Sequence, residues 1–279
     1  MNILETPALR AFIACAHNGW ERGWHERNGG NLSYRMTEDE AALCCAQFDE
    51  SGAWVPLGVS APNLAGEAFI VTGTNRYFQN IKEKPEENIG IARLNEAGDA
   101  YRIVWGLTAG HKPTSEFPTH ILNHSVRAAA TQGKSRVIYH AHPVDVVALT
   151  FVLPMTAKAF TRAFWQAMTE CVVIFPEGVG AVPWMVCGGA EIAVATAKEM
   201  ERFAAVIWGQ HGIFCAGEDF DSTFGMMHAI DKAAQILLKV MATNLPVLQT
   251  ITDDNLRAIG EAFGLTINEE FLDGTAVFH

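Results

Sequence analysis

The sequence has few cysteines and no cysteine motif. Six cysteines are spread over 279 residues, and no two of them form a Cys-x-x-Cys pair. A long chain with this cysteine usage favours reduced structural thiols over a disulfide framework or a zinc ribbon. We therefore expect free thiols in a reducing compartment.

Long apolar runs are also missing. No unbroken apolar stretch approaches the length of about 20 residues that a membrane-spanning helix needs. Residues 1–6 lack the basic-then-apolar order of a secretory signal. These absences predict a cytoplasmic protein that has no membrane partner.

Positive charge is in the minority. Lysine and arginine total 20 against 31 aspartates and glutamates, which gives a formal net charge of −11. This balance argues against nucleic acid and anionic membranes as partners, although local donors can still bind a phosphorylated substrate.

Apolar residues make up 49% of the chain, and no repeat or linker divides it, which favours one domain over residues 1–279.

The spacing of apolar residues predicts the main elements. Helices are predicted to begin after Thr6 and Thr252, and a long helix is predicted over residues 219–243. Residues 80–98 are charged and are expected at the surface, and residues 265–279 are expected to form a tail. Short apolar runs predict strands over residues 68–72, 101–107, 137–142, 171–176 and 205–207.

A His-x-His pair stands at the end of one predicted strand. His140 and His142 are two positions apart, so in a strand their imidazoles point to the same side. His211 follows another apolar run, and three histidines with an open position are typical of catalytic zinc. A buried structural histidine is the alternative for each residue. His120 and His124 lie one helical turn apart and are interpreted as helix-face residues rather than a second metal pair.

Two turns carry small and polar residues that suit an anion. One is Asn28-Gly29-Gly30-Asn31, and the other is Gly73-Thr74-Asn75. Glycines let backbone N–H groups approach a phosphate or polyol, and the side chains add donors. On composition alone, an ordinary turn is the favoured interpretation of each stretch.

Two carboxylates stand at informative positions. Glu116 follows Thr114 and Ser115, either of which can cap a helix, so Glu116 either complements the helix dipole or serves as a general base. Glu170 precedes the apolar run over residues 171–176, and it either has a perturbed pKa or faces solvent.

These motifs together resemble the class II aldolase/adducin superfamily and, within it, the rhamnulose-1-phosphate aldolases. The resemblance covers nearly the whole chain. The superfamily signature is matched, in order, by Asn28-Gly29-Gly30-Asn31, Ser115-Glu116, His140-Ala141-His142 and His211-Gly212. The narrower match is carried by the stretches 23–32, 104–108 and 175–180.

The resemblance implies a fold and an assembly. Members have a single α/β domain in which helices flank both faces of a central, largely antiparallel sheet. They assemble as homotetramers with fourfold symmetry, and their active sites lie near subunit interfaces. Thr74-Asn75 stands where we expect Ser-Gly in close relatives, and threonine keeps the hydroxyl group but adds a methyl group.

The resemblance also implies roles for individual residues. Three histidines would bind one Zn²⁺ per subunit, and Glu116 would be the acid/base. Glu170 would be a second carboxylate that reaches a neighbouring subunit's site. The metal ligands would be His140, His142 and His211. Phosphate and the neighbouring substrate oxygens would be bound by Asn28, Gly29, Asn31, Thr74 and Ser115.

The implied reaction is reversible cleavage of L-rhamnulose 1-phosphate to dihydroxyacetone phosphate and L-lactaldehyde through a metal-stabilised enediolate. The main alternative is a sibling aldolase or epimerase that acts on another sugar phosphate, such as L-fuculose 1-phosphate.

A non-catalytic adducin-like binding module is disfavoured because the histidines and Glu116 are present. A zinc hydrolase is disfavoured because only Asp145 follows His142 as a further metal-binding group.

Overall fold

A mixed sheet of nine strands runs through the computed structural model, which describes residues 2–108 and 110–274. The strand order is β2-β5-β4-β3-β1-β6-β9-β8-β7, and neighbouring strands are antiparallel except for the parallel pair β7–β8. The strands are β1 (Asn31–Arg35), β2 (Val55–Pro56), β3 (Ala68–Thr72), β4 (Ile89–Leu94), β5 (Ala100–Gly106), β6 (Val137–Ala141), β7 (Gly180–Val182), β8 (Ala205–Trp208) and β9 (Gly212–Gly217).

Helices cover both faces of this sheet, as the sequence predicts. The α-helices are α1 (Pro7–Glu21), α2 (Glu38–Cys44), α3 (Pro85–Asn88), α4 (Phe117–Ala130), α5 (Val144–Leu149), α6 (Ala157–Ala167), α7 (Thr169–Ile174), α8 (Ala190–Met200), α9 (Phe220–Ala242) and α10 (Asp253–Phe263). Short 3-10 turns occupy Ile3–Glu5, Cys45–Gln47, Pro62–Leu64, Phe78–Asn80 and Glu269–Phe271.

Alternation along β6 divides its side chains between the two faces. Val137 and Tyr139 enter the larger core, which also contains the buried stripe of α9. Ile138 enters a separate apolar cluster with residues of α8. Because side chains two positions apart share a face, His140 lies on the same side as Ile138. This side is also the one covered by α4, so the first metal-ligand candidate faces the helix that begins after Glu116.

Several predicted boundaries are close to those observed. Thr6 caps α1, where Pro7 is the first residue, and the Thr6 hydroxyl accepts a hydrogen bond from the Leu9 amide at 3.4 Å. Thr252 caps α10 in the same way. The predicted long helix is α9, which spans Phe220–Ala242. The predicted fold class is therefore confirmed.

Three local predictions are wrong. Residues 171–176 do not form a strand, because Thr169–Ile174 is helical, and a short apolar run suits either structure. Residues 80–98 do not all lie at the surface, because they include the largely buried strand β4. Its apolar residues are interrupted by a glycine and an arginine, so the sequence shows no continuous apolar run there. Neither Thr114 nor Ser115 caps α4; Glu116 holds that position without a side-chain cap.

The expected tail is partly structured. Phe271 is buried and packs edge-to-face on Trp165, with ring centroids 6.1 Å apart. Residues 275–279 lie outside the described part of the chain. Among the described helices, none combines the length and apolar composition needed to span a bilayer.

Leu237 tests the contribution of α9 to the core. Its side chain is fully buried, so Leu237→Ala should lower the free energy of unfolding by about 2–5 kcal/mol. Leu248 is 90% exposed, so Leu248→Ala removes the same atoms and should change stability by less than about 0.5 kcal/mol. Urea unfolding of both variants measures the difference. Equal losses would contradict the assignment of α9 as a core helix.

Candidate active site

Three imidazoles converge at the end of β6. The ligand atoms of His140, His142 and His211 all lie within 4.8 Å of one another. His140 and His142 come from the end of β6, and His211 comes from the turn between β8 and β9. The sequence therefore identified side chains that the fold brings together from distant segments.

Hydrogen bonds orient two of these imidazoles for metal binding. His140 Nδ1 lies 3.0 Å from the carbonyl oxygen of Ile213, which can only accept, so Nδ1 carries the proton. His142 Nδ1 lies 2.7 Å from a carboxylate oxygen of Glu26. These partners leave the two Nε2 lone pairs facing each other at 3.2 Å. Two facing lone pairs repel each other unless a cation lies between them, so the donor set fits a divalent ion.

Burial keeps two of the imidazoles, those of His140 and His211, in the neutral form that a metal needs. Burial holds the pKa of His140 well below its ordinary value, and nearby histidines lower it further. Burial also lowers the pKa of His211 to about 4. Neutral nitrogens leave the full charge of a bound ion available to an anionic substrate.

Glu116 lies beside the imidazoles at the start of α4. Its Oε2 is 3.6 Å from His140 Nε2, and it accepts a hydrogen bond from Asn31 Nδ2 at 2.8 Å. The carboxyl group is buried, and this burial raises its pKa. A carboxyl group whose pKa is raised by burial takes up a proton more readily than an exposed one. Glu116 thus has the position and the environment of a general acid/base.

The turn before β1 approaches the same place. Asn31 is the direct partner of His140 in the β1–β6 ladder. Gly30 has a positive φ of +73°, and an added Cβ would lie 2.7 Å from the carbonyl oxygen of His140. Only glycine suits this position, because it combines a left-handed backbone with a close strand. Asn28 and Gly29 precede it and are half-buried.

Thr74 and Ser115 meet in a separate part of this region. Both line a cleft of about 250 Å³ that also contains Lys112 and Thr114. The backbone holds the two turns together, because the Thr74 amide donates to the Lys112 carbonyl at 2.9 Å. The sequence placed Thr74 and Ser115 in one binding group, and the structure brings these two residues together.

Glu170 is not brought to the imidazoles within one chain. It lies in the first turn of α7 and is exposed, and the described residues give it no hydrogen bond or ion pair with Glu116 or the histidines. The alternative that Glu170 faces solvent is the one observed in the single chain.

Three residues near the site gave no usable signal in the sequence. Glu26 orients His142, as described above. His25 stacks on Phe78 with ring centroids 3.6 Å apart, and its Nδ1 lies 3.0 Å from the Gly29 carbonyl, so it supports the turn. Cys187 places its sulfur within 4.8 Å of the ligand atoms of Glu116 and His211. The contacts of Glu26 with His142, of His25 with Phe78 and of Cys187 with Glu116 and His211 join distant parts of the chain, so no spacing pattern predicts them.

The chain matches the family model described as "Class II Aldolase and Adducin N-terminal domain" over residues 10–238. The chain belongs to this family. It is 42% identical over 265 residues to a rhamnulose-1-phosphate aldolase of Salmonella schwarzengrund, covering 95% of this chain and 96% of the relative. It is 43% identical, with the same coverage, to one of Escherichia coli O1:K1 / APEC. The predicted family is confirmed.

Solved structures share the fold. A sugar-phosphate aldolase from Thermotoga maritima aligns with a TM-score of 0.72 at 24% identity, covering 85% of this chain and 96% of that one. An L-fuculose 1-phosphate aldolase aligns with a TM-score of 0.61 at 19% identity, covering 95% and 100% of the two chains. At these identities the likeness establishes the fold alone.

His25 predicts how stability depends on pH. Burial lowers its pKa to about 3 in the folded protein, whereas an unfolded histidine titrates near about 6.5. Below that pH the unfolded chain binds a proton that the native chain does not, so stability falls as pH falls. Between about pH 7.5 and pH 5.5, His25 should remove about 1.4 kcal/mol of stability.

Urea unfolding of wild type and His25→Gln at both pH values measures this effect. The variant should lose about 1.4 kcal/mol less than wild type over this interval. Equal losses for the two proteins would show that His25 does not stay neutral in the folded state.

Proposed function

We propose that this protein is a metal-dependent aldolase that reversibly cleaves L-rhamnulose 1-phosphate to dihydroxyacetone phosphate and L-lactaldehyde. The observation that carries the proposal is the placement of Glu116 at 3.6 Å from His140, one of three converging imidazoles. The 42% identity to a rhamnulose-1-phosphate aldolase over 95% of the chain supports this substrate.

The chemistry explains why these residue types are needed. Cleavage of the bond between C3 and C4 leaves negative charge next to a ketone. A divalent ion held by the three imidazoles supplies a Lewis acid for this charge. We propose Zn²⁺, one per chain, because neutral nitrogen donors that leave an open position are the donor set of catalytic zinc.

Glu116 moves the proton in this scheme. In cleavage the C4 hydroxyl releases its proton as that carbon becomes the aldehyde, and the protonated Glu116 carboxyl group delivers a proton to C3; in the synthetic direction Glu116 abstracts a proton from C3 and the new C4 oxygen takes one up. Burial supports this role because it raises the pKa of Glu116, so the carboxylate takes up a proton more readily. Asn31 keeps the acceptor oxygen in place through its hydrogen bond at 2.8 Å.

Neutral donors bind the phosphate in this proposal. Thr74 and Ser115 share a cleft, which supports a joint role at the phosphate. Asn28 and Gly29 approach from the turn before β1. Asn31 belongs to the same binding group. Its side-chain amide is already hydrogen-bonded to Glu116 and His120, so we propose that Asn31 contacts the substrate oxygens next to the phosphate rather than the phosphate itself.

The assembly and location complete the proposal. We propose a homotetramer with active sites near subunit interfaces, in which the exposed Glu170 reaches a neighbouring subunit's site. A cytoplasmic location is supported by the cysteines, since all six are free thiols. We also propose that residues 1–279 act as one domain with no nucleic-acid or membrane partner.

Product analysis with a panel of ketose 1-phosphates tests the substrate. L-rhamnulose 1-phosphate should give the highest kcat/KM, with dihydroxyacetone phosphate as one product. Higher kcat/KM with L-fuculose 1-phosphate would assign the chain to a sibling aldolase. No cleavage of any member would overturn the aldolase proposal.

Metal removal tests the role of the imidazoles. Dialysis against a strong chelator should abolish cleavage, because the three imidazoles would then hold no Lewis acid for the negative charge next to the ketone. Added Zn²⁺ should restore cleavage in wild type but not in His140→Ala. Full turnover by protein whose metal content has been measured as zero would rule out the proposed chemistry.

Glu116→Gln separates proton transfer from metal binding. Glutamine keeps an acceptor for Asn31 but cannot move a proton, so kcat should fall about 10²- to 10⁴-fold. The metal content should stay at the wild-type level. Glu177 is a matched control, because it is another carboxyl group whose pKa is raised by burial, away from the imidazoles. Glu177→Gln should retain turnover, and near-normal kcat in Glu116→Gln would exclude Glu116 as the acid/base.

A further inference from the structure

A buried chain of polar side chains runs from Glu116 into the space between β1 and α4. Glu116 Oε2 accepts from Asn31 Nδ2 at 2.8 Å, and Asn31 Oδ1 is hydrogen-bonded to His120 Nε2. Ser33 Oγ lies 2.6 Å from His120 Nδ1 and 2.8 Å from His124 Nε2. All five side chains are buried. We call this set the Glu116 network.

The direction of each hydrogen bond follows from the one at Glu116. Asn31 must present its NH₂ group to the carboxylate, because its carbonyl oxygen would repel an acceptor there. Asn31 Oδ1 therefore accepts, and His120 Nε2 carries the proton. A neutral imidazole has one N–H group, so His120 Nδ1 accepts from the Ser33 hydroxyl.

The far end of the network agrees with this direction. Ser33 has used its only proton on His120, so its oxygen accepts from His124 Nε2–H. His124 Nδ1 is then a lone pair, and in the structure it is a buried nitrogen without a hydrogen-bond partner. Burial lowers the pKa of His120 to about 3 and that of His124 well below its ordinary value. Both histidines are therefore neutral near neutral pH.

The backbone explains why this network acts on Glu116. Glu116 and His120 are one turn apart, and the His120 amide donates to the Glu116 carbonyl at 3.0 Å. Asn31 belongs to β1, where it pairs with His140. His120 thus connects the start of α4 to the strand that lies beside the imidazoles.

We propose that His120 is a positioning residue, which orients the Asn31 amide so that Asn31 holds the Glu116 carboxylate towards His140. This inference rests on the proposed role of Glu116 as the acid/base. The alternative is that His120 only fills space under the sheet. The two roles make different predictions for substitutions that keep one of its two hydrogen bonds.

Two substitutions divide the hydrogen bonds of His120. Glutamine carries its terminal NH₂ at about the reach of Nε2, so His120→Gln keeps a donor for Asn31. Asparagine carries its oxygen at about the reach of Nδ1, so His120→Asn keeps an acceptor for Ser33 but does not reach Asn31. Both variants lose the aromatic ring and one hydrogen bond, so they are matched in their expected cost to stability.

The decisive measurement compares kcat, KM, metal content and Tm of the two variants with wild type. His120→Asn should lose about 10- to 100-fold in kcat with little change in KM or metal content, because small displacements of a catalytic group are costly. His120→Gln should keep kcat within a few-fold of wild type at a similar Tm. Equal kcat losses that follow Tm, or a normal kcat in His120→Asn, would overturn the proposal.

A measurement without substrate separates this inference from the proposed function. ¹⁵N NMR of histidine-labelled wild type should show the proton of His120 on Nε2 and that of His124 on Nε2. A proton on Nδ1 of His120 would overturn the positioning role whatever the protein turns over. Failure of wild type to cleave any ketose 1-phosphate would instead reject the aldolase proposal.

Discussion

The pairing of β1 with β6 is the constraint on which the site depends. It sets Asn31 opposite His140, so the strand that ends in the His-x-His pair lies beside the residue that binds Glu116. Gly30 permits this approach because a side chain there would collide with the His140 carbonyl. A shift of one residue in this register would turn His140 into the larger core and separate it from Glu116.

Burial gives the site its chemical character in an acidic protein. The formal net charge is −11, yet burial lowers the pKa of His140 and of His211 and raises the pKa of the adjacent Glu116 carboxyl group. The same burial makes neutral hydrogen-bond partners necessary, which the Glu116 network provides through Asn31, Ser33 and two histidines.

The sequence predicted the parts of the site that follow from local periodicity. The spacing of His140 and His142 was sufficient to place both imidazoles on one side of a strand. His211 was a candidate because it follows a second apolar run, and Glu116 because it stands where a helix begins; the family resemblance gave each a definite role, which spacing could not, because their distance from the pair is set by the fold. His120 was correctly separated from the metal ligands, but its bond to Asn31 was not predicted, since it depends on how α4 packs against β1. The helix at 169–174 was missed because six apolar-rich residues do not distinguish a strand from a helix.

X-ray absorption spectroscopy of zinc-loaded protein tests the central claim most directly. The account predicts one zinc per chain with three imidazole nitrogens at about 2.0–2.1 Å, and only oxygen in the remaining coordination shell. Fewer than three imidazoles would contradict the convergence of His140, His142 and His211 on one ion. The sulfur of Cys187 lies within 4.8 Å of the ligand atoms of Glu116 and His211, so it is close enough to bind the same ion. A sulfur ligand in the spectrum would show that Cys187 fills the coordination position that the account leaves open for substrate.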